Sequence, residues 1–123
     1  MRQFVFLSVI ISLILLIGCQ EKNTPPYAPS TPVGESLGFI NTSYGFMSHA
    51  VDYDADRVAI RFDWDDGDTS NWGVFYASDS TIIKQHAWSD AGIYHIRSQA
   101  RDEHDELSGW SNIHHIMISN FRK

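Results

Sequence analysis

Apolar and polar residues alternate along most of the chain beyond residue 33. Val58, Ile60, Phe62 and Trp64 share one parity, while Ala59, Arg61 and Asp63 share the other. Tyr94, Ile96, Ser98 and Ala100 form a second set, Tyr44, Phe46, Ser48 and Ala50 a third, and Ile116 and Ile118 a fourth. Extended backbone points successive side chains to opposite faces, so this period of two predicts strands that share a dry interior. No window sustains a 3.6-residue apolar period. Turn-forming residues separate the runs: Asp52 to Asp56, Asp65-Asp66-Gly67-Asp68, Ser89-Asp90-Ala91-Gly92, and Asp102 to Glu106. Short alternating strands punctuated in this way predict an all-β, antiparallel sandwich of about seven strands. One run is discordant. Ile82, Lys84, His86 and Trp88 share a parity, so an inward Trp88 carries Lys84 towards the core, which requires either a snorkelling lysine or a bulge.

The first residues follow another pattern. Met1-Arg2-Gln3 carries one positive charge, and Phe4 to Ile17 is apolar apart from Ser8 and Ser12. As a helix that run reaches roughly 21 Å, short of the ~30 Å hydrocarbon core of a bilayer, and it reads as a secretory signal. Leu16-Ile17-Gly18-Cys19 resembles the bacterial lipobox, which implies cleavage before Cys19 and lipid attachment to its thiol. That resemblance implies export and anchoring to the cell membrane, or to the outer membrane, since Gln20 rather than Asp follows the cysteine. Cys19 is the one cysteine in the chain, which excludes an internal disulfide framework and a cysteine-rich zinc site. All four prolines (Pro25, Pro26, Pro29 and Pro32) follow it, and such a segment reads as an extended stalk of roughly 40 Å. The expected organisation is a signal peptide over 1–18, the lipid-attachment cysteine and proline-rich linker over 19–32, and one domain over 33–120.

Within that domain several ordered motifs resemble the polycystic-kidney-disease (PKD) domain. They are Phe62-Asp63-Trp64-Asp65-Asp66-Gly67, His86-Ala87-Trp88, Gly92-Ile93-Tyr94-His95-Ile96 and Asp102-Glu103. Ala50-Val51-Asp52-Tyr53-Asp54-Ala55-Asp56 is similar to an acidic turn of bacterial members, and Ser108-Gly109-Trp110-Ser111 to their approach to the last strand. The resemblance implies an immunoglobulin-like sandwich. It also marks departures, because Ala55, Asp65 and Asp105 stand where such domains prefer glycine. Aspartate tolerates left-handed backbone better than most residues and alanine does not, so the turn at Ala55 is expected to be remodelled or strained.

Charge narrows the function. Fifteen acidic against nine basic side chains give a formal −6, which leaves no basic stripe for phosphates and excludes a nucleic-acid partner. Asp52, Asp54 and Asp56 follow the spacing with which calcium loops place carboxylates around a cation. Asp102 and Glu103 are expected at the same pole, so these five acids are the candidate calcium ligands, with a solvated acidic pole as the plain alternative. The six histidines show no ligand-like interval, and His114 and His115 point to opposite faces of a strand. No nucleophile elbow is present, and no enzymatic activity is expected. Trp72, Phe75 and Tyr76 lie in a polar segment where exposed rings could stack on sugar or dock a protein; an edge strand accounts for them equally. Trp64, Trp88, Trp110, Tyr94 and Phe62 read as core, with Tyr94 placed for a tyrosine-corner hydrogen bond. The expected role is non-covalent recognition of a surface protein by a lipid-anchored domain. The alternatives are a carbohydrate-binding module and a calcium-stabilised spacer.

Overall fold

The computed structural model describes residues 22–121; the signal segment and Cys19 lie outside them. Among the described residues seven strands form: β1 (Leu37–Phe39), β2 (Tyr44–Ser48), β3 (Val58–Asp63), β4 (Ile82–His86), β5 (Gly92–Asp102), β6 (Leu107–Trp110) and β7 (His114–Ser119). One sheet has the order β1-β7-β5-β3, with β6 continuing along β5 beyond β7. Its pairings are antiparallel except β1 with β7, which run parallel. The second sheet pairs β2 with β4. The two layers make the all-β sandwich that the alternation predicts, with the immunoglobulin-like character that the resemblance implies.

The inward parity is the one read from the sequence. Phe46, Ile60, Phe62, Trp64, Trp88, Ile96, Ile116 and Ile118 form the buried core, with Tyr44 and Tyr94 packed against it. The Trp64 ring lies parallel to Phe62 at 5.1 Å and to His86 at 4.8 Å, and Trp88 meets it edge-on at 6.0 Å. Trp88 Nε1 donates to the Trp64 carbonyl at 3.0 Å, which satisfies the one polar atom its ring buries. Ser48 and Ser98, one from each sheet, pair their hydroxyls at 2.9 Å. Tyr94 closes the expected corner by donating its hydroxyl to the Asp90 carbonyl at 2.7 Å.

Lys84 snorkels. The β2–β4 register runs without interruption from Tyr44↔His86 to Ser48↔Ile82, so β4 itself carries no bulge, and Lys84 Nζ donates to the Asn71 carbonyl. Partial burial pulls its ammonium below the ordinary lysine range. Trp110 departs from expectation. It is half-buried on the outer face rather than in the core, because β6 turns it towards Arg61 and Arg97, whose guanidinium carbons lie 5.3 and 4.3 Å from its ring.

The proline-rich segment is part of the sandwich and not a free stalk over its whole length. The N–H groups of Tyr27, Ser30 and Val33 donate to the carbonyls of Val51, His49 and Met47 along the open edge of β2. Pro26, Pro29 and Pro32 are buried between these donors. Both sets repeat every three residues, the period of polyproline II. The prolines have no N–H to lose, and their rings fill the side facing the domain.

Ala55, Asp65 and Asp105 all have positive φ, at 59, 64 and 65°. The turn at Ala55 therefore keeps the geometry that suits glycine and carries the strain of a Cβ. Ala55→Gly is expected to stabilise the domain by about 1 kcal/mol, raising its thermal midpoint by roughly 4–8 °C. A midpoint unchanged or lowered in calorimetry would show that the alanine is unstrained.

Candidate functional site

Two loops with the same local design meet at one pole. Asp52 Oδ1 accepts the N–H groups of Asp54 and Asp56 at 2.9 and 3.0 Å, and the Asp52 carbonyl accepts Ala55 N–H at 3.1 Å. Asp102 Oδ1 accepts those of His104 and Glu106 at 2.9 and 3.0 Å, and its carbonyl accepts Asp105 N–H at 3.1 Å. In each loop a buried aspartate folds the following chain back onto itself, as short carboxylate side chains do in turns. Pairing of Val58 with Asp102 holds the two loops side by side.

The loops differ at their second oxygens. Asp102 Oδ2 accepts Asn23 Nδ2 at 2.7 Å, so Asp102, although fully buried, is saturated. Asp52 is 3% exposed, and its Oδ2 has no hydrogen-bond partner among the described residues. Among the described residues Asp56 Oδ2 also lacks a hydrogen bond, with His104 Nε2 3.5 Å away. Burial first, and the Asp52 charge second, hold the Asp56 carboxyl above the ordinary carboxylate range. Carboxylate oxygens of Asp52, Asp54 and Asp56 lie within 4.8 Å of one another. These three fit a hard divalent cation, which would satisfy the buried oxygens and cancel their repulsion. Of the other two acids expected here, Asp102 is committed to its turn and to Asn23, and Glu103 faces Arg57 at 3.3 Å. One ligand position already has a donor, since Thr24 N–H reaches Asp54 Oδ2 at 2.7 Å.

Of the two readings of Trp72, Phe75 and Tyr76, the structure shows the edge-strand arrangement. The segment from Thr69 to Tyr76 lies along the edge of β3, bridged at Asp63↔Thr69 and Val58↔Tyr76. Guanidinium groups cover its rings: Arg61 and Arg101 sit 4.7 and 4.8 Å from Trp72, and Arg101 sits 5.5 Å from Phe75. With Trp110 and Arg97 they make an alternating ladder across the outer face, anchored by Arg61 to Gln99 and by Arg97 to Asp63. Trp72 and Phe75 are thus half-buried in cation–π contacts, which bind the edge segment to the sheet. Tyr76 remains about half exposed. Cys19 lies outside the described residues.

Each sheet also presents a row of apolar side chains to solvent. Leu37, Met117 and Ile93 are in register across β1, β7 and β5, at 66%, 47% and 60% exposure. Val33, Met47 and Ile83 are likewise in register on the second sheet, and all three are exposed. The signal was available in the sequence, because each residue occupies the outward parity of an alternating run. What the sequence lacked was the register that aligns them into rows.

No protein-family model matches the chain, and no curated protein does either. Among solved structures, the PKD domain of an M14-like peptidase from a Thermoplasmatales archaeon is similar, with a TM-score of 0.73 and 29% identity, covering 80% of this chain and 100% of that one. The CARDB domain of a Pyrococcus furiosus protein, determined in complex with di-metal ions, has a TM-score of 0.56 at 10% identity, covering 83% of this chain and all of that one. The second likeness is one of fold alone. The described domain is therefore PKD-like in structure as well as in its motifs.

Proposed function

We propose that this chain is an exported, lipid-tethered protein whose PKD-like domain binds another protein without catalysis, docking it on the outer face of the β1–β7–β5 sheet. The row Leu37, Met117, Ile93 carries this reading. Three large apolar side chains aligned on adjacent strands cost solvent ordering and add nothing to the core, and such a cluster marks an interaction surface. The lipobox-like Leu16 to Cys19 supports the tether. Crosslinking on intact cells, followed by capture of the full chain, is expected to trap a protein partner that is lost with Met117→Asp. Because Met117 is exposed, that variant should melt near the parent. Capture undiminished by Met117→Asp would remove this face from the proposal.

A cation-stabilised spacer is the second reading, favoured by the unpartnered Asp52 Oδ2. Millimolar CaCl2 is expected to raise the thermal midpoint in proportion to occupancy, and Asp54→Asn should abolish the gain. The gain should also shrink as pH falls, since protons compete for Asp56. A flat response to calcium at every concentration would dismiss the cation. The carbohydrate-binding reading loses support, because the faces of Trp72 and Phe75 are occupied by arginine.

A further inference from the structure

The antiparallel pairing of β5 with β7 sets His95 directly opposite His115. Their rings stand 4.7 Å apart between centroids, at 77° to one another, and both side chains are exposed on the outer face. His95 is oriented from behind. Its Nδ1 lies 3.0 Å from Asp65 Oδ2, and the same oxygen accepts its backbone N–H at 2.9 Å. A carboxylate oxygen at Nδ1 orients the ring so that Nε2 faces away from the turn, the arrangement seen behind metal-bound histidines. The His115 ring has no hydrogen-bond partner among the described residues, so both its nitrogens are open.

We propose that His95 and His115 bind a divalent transition-metal ion such as Zn²⁺ or Cu²⁺ on this sheet face, with Asp65 as the residue that orients His95. Imidazole nitrogens select ions of this class, whereas calcium and magnesium require oxygen. The site is thus chemically separate from the acidic loops at residues 52–56. Two protein ligands leave coordination positions open to water or to a further donor, as in sites that are not purely structural. The inference stands on this geometry alone and does not depend on the docking proposed above.

The test uses the full chain in detergent, without a polyhistidine tag and freed of metal by chelation. Titration with ZnCl2 in a calorimeter is expected to give one equivalent whose binding shifts the His95 and His115 ring signals together in NMR. His115→Ala and His115→Gln should each weaken that binding at least ~10-fold, and Asp65→Asn should weaken it on the order of 10-fold. Asp52→Asn should leave it unchanged, and CaCl2 should not displace the zinc. Zinc bound at parental strength by both His115 variants, ring shifts confined to other histidines, or no heat at millimolar zinc would each overturn the proposal.

Discussion

Truncation of Trp64 to alanine is expected to remove about 3–5 kcal/mol of stability, a large share of the 5–15 kcal/mol typical of a domain. Trp64 is 1% exposed, and its ring is the shared contact of Phe62, His86, Phe46 and Trp88. Removing it opens a cavity that the flanking rings cannot fill, because Phe46, Phe62 and His86 are held in β2, β3 and β4 and Trp88 is tied to the Trp64 carbonyl. The loss also frees His86, which stacks on Trp64 while its Nε2 meets Asp66 Oδ2 at 2.6 Å, so the neighbouring turn should loosen with the core. Urea unfolding would show the midpoint falling by roughly 2 M at an unchanged slope. Trp64→Phe keeps a ring in the stack and should lose less than half as much. Equal losses for the two variants would mean that the stack itself contributes little.

The second large effect concerns Asp102. Asp102→Ala leaves the N–H groups of His104 and Glu106 and the amide of Asn23 without their acceptor at a fully buried position, and about 3 kcal/mol should be lost. Asp102→Asn keeps an oxygen in place and should lose about 1 kcal/mol. The corresponding change at Asp52 separates the two loops. Asp52→Asn retains the turn through its remaining oxygen and removes one of the charges that raise Asp56. It should therefore be close to neutral in the absence of calcium. Chemical denaturation of the three variants side by side would check the order, and an Asp52→Asn variant as damaged as Asp102→Ala would contradict the difference in second-oxygen partners.

The strands were legible because burial on one face of a sheet writes itself into alternate residues. Tyr44 to Ala50, Val58 to Trp64 and Tyr94 to Ala100 needed no partner to be recognised. Tyr94 and the glycine-like positions of Ala55, Asp65 and Asp105 were equally readable, as local geometry is local in sequence. The acidic spacing from Asp52 to Asp56 was read as ligands in a row, yet Asp52 is first of all the cap of its own loop, a role identical to that of Asp102. Residues whose surroundings the sequence left open or misjudged share one cause: their environment is supplied by segments distant in the chain. Trp110 and Trp72 lie under arginines from β3 and β5, so composition alone could not tell a core ring from a laddered one. His95 and His115 are twenty residues apart and meet through strand register, which no interval within a single segment reveals. Proline spacing at 26, 29 and 32 was visible, but extended chain is what both a stalk and a docked edge require.

That docked edge shortens the leash. Among the described residues, contact with the domain begins at Asn23 and Thr24, which reach Asp102 and Asp54. With the proposed acyl group on Cys19, four Cα steps remain before that first contact, at most roughly 14 Å of chain. The molecule would hang head-down, its acidic loops less than about two screening lengths from the lipid headgroups at physiological salt. Anionic headgroups would push that end away, and divalent ions gathered in the gap would draw it back, so the tilt of the whole body would follow the local ion concentration.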